Sequence, residues 1–259
     1  MNKTRLFNVD AIILRRRDFS EADRLLTVLT ADHGKMRLLA KGVRKTKSRK
    51  AGHLELFMHT ALQVAEGRNF GIVTQADTVQ AYRALREDLD KISHAYYLSE
   101  MIDRFTEDND PSFALFELMA LTLARLSDGN PIEQFLSVRY FDLHLLRITG
   151  YQPQLHFCVS CNNRIEAEDN YFHGLDGGIL CPTCGEKRPR ARRLPLSALK
   201  VLRFLQTRPW EEAAKLKLTE NTQRDVERVV LDYISVILER KLKSIDFLKR
   251  LRRQERVEG

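Results

Sequence analysis

The stretch "DRLLTVLTADHGKMRLLAKGVRKTKSRK" (residues 23–50) decides the fold. Two β-rich runs flank Asp32-His33-Gly34, a turn signal, so the first half predicts a hairpin. Leu25, Thr27 and Leu29 alternate with Leu26, Val28 and Thr30, which leaves both faces partly apolar, as in a strand of a closed barrel. Upstream, "LFNVDAIILRR" (6–16) reads as another strand. Downstream, "HLELFMHTALQVAEG" (53–67) and "FGIVTQADTV" (70–79) form a second hairpin through Glu66-Gly67-Arg68-Asn69. Five strands in the first eighty residues predict a five-stranded barrel of the oligonucleotide-binding (OB) type.

After residue 80 the apolar period becomes helical. A helix is predicted over 89–106. "PSFALFELMALTLARLSDG" (111–129) carries Phe113, Phe116, Ala120 and Leu123 at helical spacing, with Asp110 as N-cap and Pro111 at the first position. Asn130-Pro131-Ile132-Glu133 repeats the device and predicts a capping box for a helix running through Phe135, Leu136, Leu143 and Leu146 to Gly150. Helices return near 196–208, 220–241 and 244–253. The expected class is α+β: an OB-type barrel over 1–80, then a helical domain over 81–259 with a cysteine-bearing insert at about 151–190.

That insert holds Cys158, Cys161, Cys181 and Cys184, in the pattern C-x2-C, nineteen residues, C-x2-C. Each pair forms a short knuckle, and four soft thiolates around one centre suit Zn²⁺. Tyr171-Phe172 and Gly178-Ile179-Leu180 predict a small hairpin across Asp176-Gly177, and Gly185 gives the backbone room to turn. Four sulfurs close the coordination shell, so the expected role is structural, holding together an insert too small for its own core. His156 and His173 lie nearby and read as surface or packing residues.

The formal net charge is +8. Residues 1–80 carry 15 Lys/Arg against 8 Asp/Glu, residues 81–157 carry 7 against 12, and residues 158–259 carry 21 against 15, so basic ends flank an acidic middle. Basic surfaces favour polyanions through attraction and counterion release. No apolar run reaches the length of a membrane span, and the cysteine usage fits a reducing compartment, so the cytosol is the expected location. No phosphate-binding G-x-x-x-x-G-K-[ST], H-E-x-x-H or G-x-S-x-G pattern occurs, and no residue set argues for catalysis.

Charge runs are ordinarily solvated surface. Here Lys41, Arg44, Lys45, Lys47, Arg49 and Lys50 fill one loop of the expected barrel, and Arg15, Arg16 and Arg17 end its first strand beside another loop. Arg24, Lys35 and Arg37 add charge on the next two strands. If these converge, they make a track for a phosphate backbone, and Phe70 at the second hairpin tip can stack on a base or serve the core. The rear runs "KRPRARR" (187–193) and "ERKLKSIDFLKRLRR" (239–253) read as a basic linker or nucleic-acid path, and as a helix with cations snorkelling outward.

"LRRRDFSEADRLLTVLTADHGKMRLLAKGVRK" (14–45), the ending "LKSIDFLKRL" (242–251) and the paired-cysteine insert together resemble the bacterial RecO family of DNA repair proteins. The resemblance implies an N-terminal OB barrel, a helical domain with a zinc ribbon, and a nucleoid-associated recombination mediator rather than an enzyme. It implies binding of single- and double-stranded DNA, ATP-independent annealing, and work with RecR that helps RecA replace single-strand-binding protein, whose acidic C-terminal tail such proteins contact. It carries Arg24, Lys35, Arg37, Lys41 and Arg44 over as DNA-facing cations, and points to Arg139 and Arg147 as candidates for the tail contact. The competing readings are an RNA-binding OB and zinc-ribbon module, and a metalloenzyme, which needs an open metal site.

Overall fold

The computed structural model describes residues 5–239, and these divide between Asp128 and Gly129 into two compact units. The expected helix at 244–253 and the "LKSIDFLKRL" segment lie outside the described residues.

In the first unit, β1 (Leu6–Asp18), β2 (Arg24–Thr30), β3 (Gly34–Ala40), β4 (His59–Ala65) and β5 (Gly71–Gln80) hydrogen-bond in the order β1-β2-β3-β5-β4, and β4 pairs back onto β1 to close the ring. Four of the five seams are antiparallel. The fifth, β3 with β5, is parallel and has only two residue pairs, Leu38↔Gly71 and Leu39↔Ile72. Gly71 is required there: a Cβ would meet the Leu38 side chain at 2.9 Å and Val64 at 2.7 Å. Val9, Ala11, Ile13, Leu26, Val28, Leu38, Leu62, Val64 and Val73 fill the interior.

The two-faced apolarity of β1 and β2 has a second cause besides ring closure. A 3-10 turn (Ala51–His53) precedes β4, and three helices follow β5: α1 (Arg83–Glu87), α2 (Leu89–Phe105) and α3 (Phe113–Asp128). Helix α2 packs on β1 and α3 on β2. They cover outward residues such as Ile12, Leu14, Leu25 and Leu29, all buried, and each such burial stabilises by about 2 kcal/mol. The Ser99 hydroxyl on α2 donates to the Leu14 carbonyl at 3.1 Å. That carbonyl belongs to an irregular step: the β1–β2 register shifts between Ile13 and Arg15, leaving Leu14 as the extra residue of a bulge.

Two local expectations are corrected. The segment 53–58 is not strand; β4 begins at His59, and Phe57 takes a positive φ of 63° while its amide donates to the Ile13 carbonyl at 2.8 Å. Helix α3 begins at Phe113, not Pro111. Ser112 serves its N-terminus, accepting from the Leu115 amide at 3.3 Å, and Phe113 is 64% exposed rather than core. Asp110 instead lies against Gly34, where a Cβ would meet its carbonyl oxygen at 2.2 Å.

In the second unit, α4 (Pro131–Ile148) carries the expected capping box: the Asn130 side chain accepts from the Glu133 amide, and the Glu133 carboxylate accepts from the Asn130 amide. The insert forms a three-stranded sheet in the order β7-β6-β8 from β6 (Asn170–His173), β7 (Gly178–Leu180) and β8 (Arg192–Leu194), with a short α5 (Pro182–Gly185). Helices α6 (Leu196–Thr207), α7 (Trp210–Ala213) and α8 (Glu220–Ile237) follow. Helices α4, α6 and α8 pack on one another through side chains such as Leu136, Phe141, Leu202, Val226 and Val230. No helix among the described residues is long and apolar enough to cross a membrane.

Candidate nucleic-acid interface and metal centre

The cationic interface is assembled by strand register. Arg15 pairs with Thr27, and Thr27 with Arg37, so three neighbouring strands present one row on the outer face. Arg17 pairs with Leu25 one step along that face. Arg15, Arg16, Arg17, Leu25, Thr27 and Arg37 line a depression of about 280 Å³. The bulge at Leu14 is what turns Arg15 and Arg17 outward after the buried run Ala11–Leu14.

The loop after β3 folds against the loop after β1. The Arg44 amide donates to the Ala22 carbonyl at 3.0 Å and the Gly42 amide to Asp23 Oδ1 at 2.8 Å. That amide contact holds the Asp23 carboxyl below its usual range, with help from Lys41 and Lys45. Val43 is buried with the barrel core and anchors the loop. The Arg44 guanidinium donates to the Ser20 carbonyl at 3.2 Å and reaches Asp18 at 3.3 Å, and Asp18 also holds Arg24 at 3.2 Å. Lys41, Lys45, Lys47 and Arg49 are exposed, and among the described residues they make no ion pair; the same holds for Arg17.

Three of the expected DNA-facing cations are spent inside the unit. Lys35 is only 6% exposed. Its ammonium donates to the carbonyls of Asp103 (3.3 Å) and Thr106 (3.1 Å) and pairs with the carboxylates of Asp103 (3.3 Å) and Asp108 (3.5 Å). Lys35 therefore clamps β3 to the end of α2 and is withdrawn from the interface. Arg16 pairs with Leu26, a core position, and is ion-paired with Glu55. The Lys50 ammonium donates to the Val73 carbonyl at 2.7 Å, and burial pulls its pKa down. Arg15 and Arg37 stay exposed but rest on Asp103 (2.8 Å) and Asp108 (3.2 Å). In the second unit Arg139 is corrected as a surface contact: it is 3% exposed and paired with the buried Asp142 at 3.3 Å. Arg147 is exposed and lies 3.2 Å from His144 Nδ1.

Phe19 was missed by sequence reasoning. It projects from the β1–β2 loop, 49% exposed, with its ring edge-on to Phe70 at 6.1 Å between centroids. Its position between Asp18 and Ser20, in a loop with no alternation to follow, offered the only signal.

The four cysteine sulfurs lie within 4.8 Å of one another, with Cys161 Sγ and Cys181 Sγ 3.9 Å apart. A tetrahedron of thiolates about 2.3 Å from one ion separates its sulfurs by about 3.8 Å, so the donor set fits a soft cation. Burial pushes the Cys158 thiol up, but amides of Cys161, Cys181 and Ser160 outweigh this and leave it at about 6. Burial and the neighbouring sulfurs push Cys181 up to about 12. Thiols this close cannot all ionise without a cation among them. The knuckles are local: the Asn162 amide donates to the Cys158 carbonyl at 2.9 Å with φ 60° at Asn162, and the Gly185 amide donates to the Cys181 carbonyl at 2.8 Å. Gly185 is needed for close approach rather than for turning, since a Cβ would sit 2.4 Å from the Tyr171 ring. The predicted hairpin is present, with Tyr171↔Leu180 and Phe172↔Ile179 paired and φ 71° at Gly177. His173 stands outside the sulfur cluster, buried against Asp176 at 2.9 Å.

Family models described as "Recombination protein O N terminal" and "Recombination protein O C terminal" match residues 1–82 and 86–246. A protein named DNA repair protein RecO from Roseiflexus sp. (strain RS-1) is 40% identical over 98% of this chain and 89% of its own length. Proteins of the same name from Dehalococcoides mccartyi (strain 195) and Symbiobacterium thermophilum are 35% and 32% identical, over 98% and 95% of this chain and 99% and 98% of theirs.

Proposed function

From the premise that this chain belongs to the RecO family, we propose that it is a DNA repair and recombination mediator that binds single- and double-stranded DNA through the first unit and anneals complementary strands without ATP. The observation that carries this reading is the convergence of Arg15, Arg17 and Arg37 on one depression, continued by Lys41, Arg44, Lys45, Lys47 and Arg49 on the adjoining loop. Such a track follows phosphates without reading sequence, as general repair requires. Cations on two backbones lower their repulsion, and base pairing then drives annealing. The strand order β1-β2-β3-β5-β4 with return to β1 supports the OB-type assignment of the unit.

In this reading Cys158, Cys161, Cys181 and Cys184 hold one structural Zn²⁺, which closes the two knuckles and has no open position for substrate. The protein works with RecR, contacts the acidic tail of single-strand-binding protein, and so helps RecA onto coated strands; Arg147 is the remaining candidate for the tail contact. The barrel with helices α1–α3 acts as one module and the unit from Gly129 onward as another, in place of the 1–80 and 81–259 division expected from the sequence.

The test reverses charge where no internal ion pair is lost: Lys45→Glu, Lys47→Glu and Arg49→Glu together. Binding to single-stranded DNA weakens, and the slope of log affinity against log salt flattens by roughly 2. Undiminished binding in the triple variant overturns the proposal. A strong preference of the wild type for matched RNA would move the function to RNA binding.

A further inference from the structure

Phe19 is an apolar ring on a loop, half in water, and among the described residues no helix or strand covers it. The loop beneath it is hydrogen-bonded to the loop after β3. The Phe19 amide donates to the Asp23 carbonyl at 3.1 Å, Asp23 accepts from Gly42, and Arg44 bonds the carbonyls of Ala22 and Ser20 as backbone and side chain respectively. Phe70 arrives from the β4–β5 hairpin and braces the ring edge-on. Arg44 binds the residues on both sides of Phe19, Asp18 and Ser20, so a cation is held against the backbone segment that carries the ring. Lys45 and Lys41 extend the positive charge around Asp23.

We propose that Phe19, braced by Phe70, is a stacking subsite for one unpaired nucleobase, and that it makes the cationic track favour single strands over duplex. The inference rests on the DNA-binding reading above. A bare track of cations neutralises phosphates of either form. An exposed ring beside it adds a contact that only an unstacked base can make, because duplex bases are already stacked on their neighbours. An apolar peptide is the other occupant such a ring admits, but the cations of Arg44, Lys41 and Lys45 around the same loop suit a nucleotide.

The experiment measures equilibrium binding of three ligands of equal length: oligothymidylate, the same phosphodiester strand without bases, and a mixed-sequence duplex. Wild type, Phe19→Ala and Phe19→Trp are compared. Phe19→Ala weakens oligothymidylate by about tenfold, since one base–aromatic stack is worth that much or more. It leaves the abasic strand and the duplex unchanged, and Phe19→Trp restores the loss. Equal losses on all three ligands, or none on any, overturn the subsite. The Lys45, Lys47 and Arg49 reversal weakens all three ligands alike, so a track that fails is distinguishable from a stack that fails. Unchanged melting of Phe19→Ala excludes misfolding as the cause.

Discussion

Lys35 and Arg37 stand two residues apart on β3 and meet opposite fates. Both face outward, yet Lys35 lies under the end of α2 and Arg37 beyond it. A buried ammonium is tolerated only when carbonyls and carboxylates replace its water, and Asp103, Thr106 and Asp108 do so. Lys35→Met therefore lowers stability by about 2 kcal/mol in thermal or denaturant unfolding, and leaves single-strand affinity nearly unchanged. A DNA-contacting lysine gives the reverse result. The cations themselves were legible in the sequence, but their partners were not. Arg15 and Asp103 are 88 positions apart, and no local pattern announces that a carboxylate so distant will take up a charge. Arg139 misled for the same reason: charge in a helix reads as surface until the opposing Asp142 is found buried beside it.

At the scale of elements, the ribbon depends on one close approach. Helix α5 carries Cys184, with Cys181 at its N-cap, and Gly185 at its end lies on the Tyr171 ring of β6. Gly185→Ala forces these apart, at a cost of about 1–3 kcal/mol for overpacking. Metal release to a chromophoric chelator becomes faster in that variant than in wild type, and an unchanged release rate would show that the knuckle does not rely on the contact. Strands with strict alternation, the capping box of α4 and the cysteine knuckles were readable because each is specified by residues close in sequence. What was not readable depended on distant neighbours. The helices over β1 and β2 produce the same two-faced apolarity that a barrel produces, and residues 53–58 look extended in composition while Phe57 turns with positive φ against β1. Ser112 displaced Asp110 as the start of α3 because Asp110 is held beside Gly34.

For the whole molecule, the cationic track and the sulfur cluster belong to different compact units. On the proposal that the sulfur cluster holds one metal ion, treatment with a thiol reagent and chelator should release a single ion and lower the melting transition of the second unit, while the track's affinity for single strands persists. Loss of both together would mean that the metal supports the nucleic-acid surface itself. The Lys35 clamp carries a further consequence for biosynthesis. All five strands emerge from the ribosome before α2 and the residues after it, so until those follow the sheet has a solvated lysine and bare leucines on its outer side. The barrel's outer face is thus finished only by later helices, and a chain cut at the last strand would leave those leucines in water.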